Sequence, residues 1–288
     1  MSEKPVITQA MIDAYDDFTP RNPDRRAFME RLTALCGSAA VAVAVAPLLA
    51  ASPAKAAIVP EDDARITGTD VSYGGLKGYV ARPATISAAL PGVIVIHENR
   101  GLNAHTRDVA RRIALEGFVA LAPDFLSPKG GTPANEDEAR NLIGQLDPAQ
   151  NVANAEASLE WLESQGFARQ TTGAVGFCWG GGLVNRFATK SAKLKAGVAY
   201  YGAQPPLEDV PGIKAALLLH YAGQDERINA GIEAYRAALT AAGKTFDIEV
   251  YEGVQHAFNN DTSEARYNKA AADLAWGRTV GWFKKYLV

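Results

Sequence analysis

The run Gly176-Phe177-Cys178-Trp179-Gly180 is the stretch of this chain most readily read as chemistry. A β-rich stretch, residues 172–177, leads into it, and a helical stretch follows from Gly180. A thiol at such a corner sits at a helix N-terminus. There the helix dipole favours a thiolate, and unpaired N–H groups can receive a developing oxyanion. The glycines have a steric reason: the backbone doubles back, and larger residues two positions away would collide. The pattern is the G-x-S-x-G nucleophile elbow with Cys in the place of Ser. The plain alternative is an inert buried cysteine; strand, turn and helix in the required order favour the elbow.

A thiol nucleophile needs a base. The chain has four histidines, His97, His105, His220 and His256. Behind such an elbow the acid comes next in the chain and the histidine last, which leaves His220 and His256. His220 lies inside the apolar run 215–222 and reads as a strand residue. His256 follows the strand 246–251 in a loop, where an imidazole can reach the elbow. Asp225 ends the strand carrying His220 and enters a loop, placed to accept the second ring N–H of His256 and fix its tautomer. Glu226 and Glu208 compete for that role. Glu98 ends the strand 92–97, in the loop that supplies the second oxyanion donor in this arrangement; the alternative is a solvated loop carboxylate. His97-Glu98 is not a zinc motif, because position 101 is Gly. There is no P-loop, no G-x-G-x-x-G after a strand and no zinc-type Cys/His spacing. No metal and no organic cofactor is expected.

These groups need a scaffold that brings several strand ends together. Gly74-Gly75 between residues 66–72 and 76–81 reads as a hairpin. Residues 92–97 form a β-branched run, as in a strand buried on both faces. Helices are expected over 106–116 (ended by Gly117), 136–144, 149–165, 229–242 and 263–286, with a loop over 125–135. Further strands are expected over 118–122 (stopped by Pro123), 196–201, 215–222 and 246–251. This alternation predicts one α/β domain over 57–288, a mostly parallel central sheet with helices on both faces.

The first 56 residues read as an export leader. Paired Arg25 and Arg26 precede an Ala/Val/Leu-rich stretch, roughly 32–51, and Ala54-Lys55-Ala56 offers the small-x-small pattern of a signal-peptidase site. The order is that of a twin-arginine signal, with the export machinery as partner, cleavage near Ala56 and a periplasmic destination. Pro47 and the weak hydropathy argue against stable membrane insertion. The 288-residue chain is 48% hydrophobic with a formal net charge of −3, which gives nucleic acid no basic surface to bind.

Gly176-Phe-Cys-Trp-Gly-Gly, Ala222-Gly-Gln-Asp225 and Gln255-His256-Ala-Phe258 resemble the dienelactone hydrolase family within the α/β-hydrolases. So do 93–103, Ala122-Pro-Asp124 and the stretch 265–276, so the likeness runs from about residue 60 to the end. The resemblance implies a triad of Cys178, Asp225 and His256, a carboxylate at Glu98 that helps form the thiolate, and an oxyanion hole from the backbone N–H groups of Asn99 and Trp179. It implies hydrolysis of a small ester or lactone, carboxymethylenebutenolidase-type chemistry. An acyltransferase or a non-catalytic small-molecule-binding protein on the same scaffold is the alternative. One departure stands out. Members acting on dienelactone hold the substrate carboxylate with arginines, one shortly after the histidine. Here Asn259-Asn260-Asp261 follows, which leaves Arg100 or Arg227 as stand-ins, Arg100 being the substrate-binding candidate.

Overall fold

The structure, a computed structural model, describes residues 7–18, 24–49 and 57–288. The leader's expected cleavage stretch lies outside the described residues. Three helices, α1 (Gln9–Phe18), α2 (Arg25–Cys36) and α3 (Ala39–Leu49), precede the sheet domain. That domain runs β1 (Ile66–Tyr73), β2 (Leu76–Pro83), β3 (Leu90–Ile96), α4 (Ala104–Leu115), β4 (Val119–Asp124), α5 (Glu136–Ile143) and α6 (Pro148–Glu163). It continues with β5 (Ala168–Phe177), α7 (Trp179–Lys190), β6 (Ala196–Tyr200), β7 (Ala216–Ala222), α8 (Glu226–Asn229), α9 (Ile232–Ala241), β8 (Phe246–Tyr251) and α10 (Lys269–Leu287).

The eight strands form one sheet in the order β1-β2-β4-β3-β5-β6-β7-β8. β1 and β2 pair antiparallel around Gly74-Gly75, and β2 pairs antiparallel with β4. From β4 to β8 every pairing is parallel. Alternate residues of β3 face opposite sides: Val93 and Val95 join a core with α4 and α10, Ile94 and Ile96 one with α6, α7 and α9. That double burial is why the run is β-branched throughout. Because the central strands are parallel, their C-terminal ends share one edge, where ligands bind in such sheets.

Several boundaries differ from the sequence expectation, β5 among them, which begins at Ala168 and not at 172. Pro123 lies inside β4 instead of stopping it. The β3–β4 pairing ends at Leu121, so the missing N–H falls beyond the last β3 partner. The last helix begins at Lys269, not at 263, because the Asn268 side chain accepts from the Ala271 N–H and caps it. The helix expected over 229–242 is α9, which starts at Ile232 with Gly231 as its N-cap; the short α8, ending at Asn229, precedes it.

α1–α3 share a small core of Met11, Ile12, Phe28, Leu32, Ala42 and Val45. Tyr15 links them to the sheet domain: its hydroxyl accepts from Arg140 Nη1 at 2.6 Å and from Arg100 Nη2 at 3.2 Å. Among the described residues no single helix is long and apolar enough to cross a membrane; α2 and α3 together meet that test but are bent by 112°.

Candidate active site

β5 delivers Cys178 at its end. The residue has φ 55° and ψ −113°, a left-handed conformation unusual for a side-chain-bearing residue. Its N–H donates to the Tyr200 carbonyl at 3.0 Å, tying the corner to β6. Glycine is required on both flanks. A Cβ on Gly176 would lie 2.2 Å from the Gly180 carbonyl oxygen, and one on Gly180 2.5 Å from the carbonyl oxygens of Ile96 and His97. The tight contact between α7 and the end of β3 sets Trp179 beside Asn99, and both line one cleft with Cys178. As the first residue of α7, Trp179 carries an N–H with no partner inside its helix.

His256 sits in the loop after β8 and is 6% exposed. Its Nδ1 and Asp225 Oδ2 are 2.5 Å apart. An ionised carboxylate only accepts, so Nδ1 carries the proton and Nε2 is left for the sulfur. His256 and Cys178 line the same cleft. Burial disfavours the charged form of the imidazole, but the neighbouring Cys178 sulfur and the Asp225 carboxylate outweigh burial and hold its pKa well above the ordinary histidine value. Burial likewise works against the Asp225 carboxylate, and the hydrogen bond and charge of His256 outweigh it, so its pKa is lowered. Asp225 Oδ1 also accepts from the Ile228 N–H at 3.4 Å, which caps α8. Glu226 and Glu208 are exposed. His220 is a fully buried β7 residue between Tyr251 and Thr279, its pKa pushed down to about 3, chiefly by burial.

Glu98 is fixed at both oxygens. Tyr201 donates its hydroxyl to Oε1 at 3.3 Å, and Asn260 Nδ2 donates to Oε2 at 2.8 Å. Burial and then the Glu98 charge push the Tyr201 hydroxyl well above its usual pKa, so it stays a donor. Its ring packs 4.9 Å from that of His256, and φ at Tyr201 is 38°. Sequence reasoning missed both Tyr201 and the anchoring role of Asn260. The available signals were a tyrosine at the end of a parallel strand and an Asn where an Arg was sought.

The cleft holds about 310 Å3. Its walls are apolar (Ile143, Leu146, Leu183, Ile228), with Arg140, Arg186 and Arg227 among its lining residues. Arg100, the expected substrate-binding residue, points elsewhere: it is buried against Tyr15, with Nη1 3.4 Å from Glu136. The geometry thus brings together Cys178, His256, Asp225, Glu98, Asn99 and Trp179. Of the two arginines the sequence offered, it puts Arg227 on the cleft wall and not Arg100, and it adds Arg140 and Arg186, which the sequence did not single out. Among the described residues no cluster of His, Cys, Asp or Glu could hold a metal ion.

A mostly parallel eight-stranded sheet with helices on both faces and a sharp strand-to-helix corner at its carboxyl edge is the architecture of the α/β-hydrolase fold. Residues 76–287 match the model of the dienelactone hydrolase family, and the chain belongs to that family. A protein of Escherichia coli (strain K12) described as a candidate carboxymethylenebutenolidase is 34% identical over 255 residues, covering 82% of this chain and 94% of its own length. A similarly described protein of Saccharolobus solfataricus is 31% identical, covering 73% of this chain and 94% of its own length. The crystal structure of a candidate dienelactone hydrolase from Klebsiella pneumoniae superposes with a TM-score of 0.71 at 30% identity, covering 77% of this chain and 99% of that one. The chain is accordingly an enzyme of the ester and lactone hydrolase class.

Proposed function

We propose that this hydrolase uses Cys178 as its nucleophile and acts on small esters or lactones, with carboxymethylenebutenolidase-type chemistry. The carrying observation is His256, bonded through Nδ1 to the Asp225 carboxylate and sharing with Cys178 the wall of a cleft sized for a small molecule. In this reading the Cys178 sulfur gives its proton to His256 and attacks the carbonyl carbon. The carbonyl oxygen becomes an oxyanion held by the N–H groups of Trp179 and Asn99, each contributing about 3 kcal/mol. As the intermediate collapses, the C–O bond to the leaving group breaks and His256 Nε2 returns a proton to the departing oxygen. A water then loses a proton to His256, attacks the thioester and expels the sulfur, leaving the carboxylic acid. Asp225 fixes the ring tautomer and supports the imidazolium. Glu98, held by Tyr201 and Asn260, places a second carboxylate beside the site.

Replacing Cys178 by Ala is expected to lower p-nitrophenyl acetate turnover by about a thousandfold or more, with the fold retained. Turnover at the wild-type rate in the purified variant would exclude the thiol as nucleophile.

Residues 1–56 are proposed to direct export by the twin-arginine route, with cleavage near Ala56. The order of Arg25-Arg26, apolar stretch and Ala54-Lys55-Ala56 supports this.

A further inference from the structure

Two histidines besides His256 are fully buried in the sheet domain, and they are used differently. His220 is bonded to Tyr251 and Thr279. His97 stands at the end of β3, one residue before Glu98 and two before Asn99, with no exposed surface. The Phe125 backbone N–H approaches His97 Nε2 at 3.3 Å. A backbone N–H can only donate, so Nε2 is the acceptor and the ring proton sits on Nδ1. That proton is donated to the Glu98 carbonyl oxygen at 2.7 Å. Burial lowers the ring's pKa, so the imidazole is neutral and the tautomer single.

The Glu98 carbonyl and the Asn99 N–H belong to one planar trans peptide and point in opposite directions. A donor that holds the carbonyl on one side turns the N–H to the other. Asn99 lines the cleft with Cys178. The same imidazole stacks on the Trp179 indole, with centroids 5.3 Å apart and planes 12° apart, and meets the Phe125 ring edge-on at 5.6 Å. The His97 carbonyl oxygen packs against Gly180, one residue beyond Trp179. One buried ring therefore touches the supports of both backbone N–H groups that the proposed mechanism aims at the oxyanion.

We propose that His97 is a positioning residue for the oxyanion hole: its Nδ1–H fixes the Glu98–Asn99 peptide so that the Asn99 N–H faces the reacting carbonyl. The proposal rests on the reading of Cys178 as nucleophile. It assigns His97 no proton transfer.

The test compares two substitutions in the full-length chain that both remove the ring. His97→Asn places an amide N–H where Nδ1–H stood and keeps the bond to the Glu98 carbonyl. His97→Gln reaches the Nε2 position, keeps an acceptor for Phe125 and loses that donor. With p-nitrophenyl acetate, H97Q is expected to lose about tenfold to a hundredfold in kcat with KM nearly unchanged, because a misaimed donor costs transition-state binding alone. H97N is expected to recover most of that kcat. Alkylation of Cys178 by iodoacetamide should proceed at the wild-type rate in both, since thiol activation does not pass through His97. Should H97Q not fold, His97→Phe takes its place; it keeps a ring on Trp179, lacks the donor, and carries the same expectation. Equal kcat losses in H97N and H97Q, wild-type kcat in H97Q, or alkylation falling in step with kcat would each overturn the proposal. Failure of the underlying reading shows elsewhere, as turnover that survives Cys178→Ala.

Discussion

Arg140 joins the cleft to the N-terminal helix α1. Its guanidinium is among the groups lining the cleft, donates to the Tyr15 hydroxyl at 2.6 Å and lies 5.3 Å from the centre of the Tyr15 ring. An ester bearing a free carboxylate must compete for that cation with Tyr15 and with the Asp137 carboxylate, which pairs with Arg140 Nη2. In the full-length chain, Tyr15→Ala is therefore expected to lower KM for p-nitrophenyl hemisuccinate several-fold, up to about tenfold, the worth of one charge-assisted hydrogen bond. KM for p-nitrophenyl acetate, which carries no charge, should stay put. Tyr15→Phe keeps the ring and should fall between. Equal shifts for both esters would dissociate the contact from anion binding. The residues in and around this cleft were unequally legible. Cys178, Asp225 and His256 could be read because their order along the chain maps onto the ends of successive parallel strands. Tyr201, Asn260 and Arg140 could not, because their part depends on where a side chain points after folding. Tyr201 turns toward Glu98 through a left-handed backbone, and Asn260 takes the Glu98 oxygen that a search for arginines passes over. Arg100 was misread for the same reason: its position in the loop after β3 suits a substrate contact, but its side chain runs toward Tyr15 and Glu136.

Strands and helices act here as spacers that tolerate no gap at one point and some elsewhere. On the proposed mechanism α7 must approach the end of β3 closely for Trp179 and Asn99 to share an oxyanion, and Gly180 is the contact. Ala at 180 would put a methyl carbon 2.5 Å from two backbone oxygens of that strand, so α7 must back away. The expected cost is about 1–3 kcal/mol of stability, as for other overpacked sites, with a disproportionate loss of ester turnover because the donors separate. Gly277, inside α10, has nothing within 4 Å of its missing Cβ. Ala there should stabilise the chain by about 0.5–1 kcal/mol through helix propensity, with kcat unchanged. Urea unfolding midpoints alongside turnover separate the two, and a G180A enzyme with wild-type stability and kcat would remove the packing argument. The hairpin, the buried strands and the main helices were legible because each carries its own period and punctuation: Gly74-Gly75 closes the hairpin, and β-branched residues fill β3. What was not legible was set by neighbours. Pro123 is admissible in β4 only because β3 has already ended its pairing there, and the apolar pattern before α10 does not reveal that Asn268 caps the helix.

The proposed export role of residues 1–56 poses a problem of order in time: on that proposal, the paired arginines are read by an export machinery while the rest of the chain is folding or folded. The geometry is compatible with a folded passenger. Tyr15, upstream of the pair, is hydrogen-bonded to Arg100 and Arg140 of the sheet domain, whereas the side chains of Arg25 and Arg26 are 80% and 87% exposed at the start of α2, which Asp24 caps through the Arg26 and Ala27 N–H groups. Arg25 lies 3.9 Å from Asp137, itself half exposed, a screened contact of little strength. The pair is thus displayed outward on a helix start fixed by its cap, and loosening it from the domain costs little. If twin-arginine recognition reads those two guanidinium groups, lysine cannot replace them, because a point charge does not reproduce a planar fork of donors. The joint substitution of Arg25 and Arg26 by Lys is therefore expected to trap the chain in the cytoplasm of a host that exports the wild type. The trapped protein, once purified, should hydrolyse p-nitrophenyl acetate with wild-type kcat/KM, since neither arginine borders the cleft. Cell fractionation read by activity and by immunoblot checks both parts. Undiminished export of the double-lysine chain would remove the twin-arginine reading and leave the proposed chemistry of Cys178 untouched.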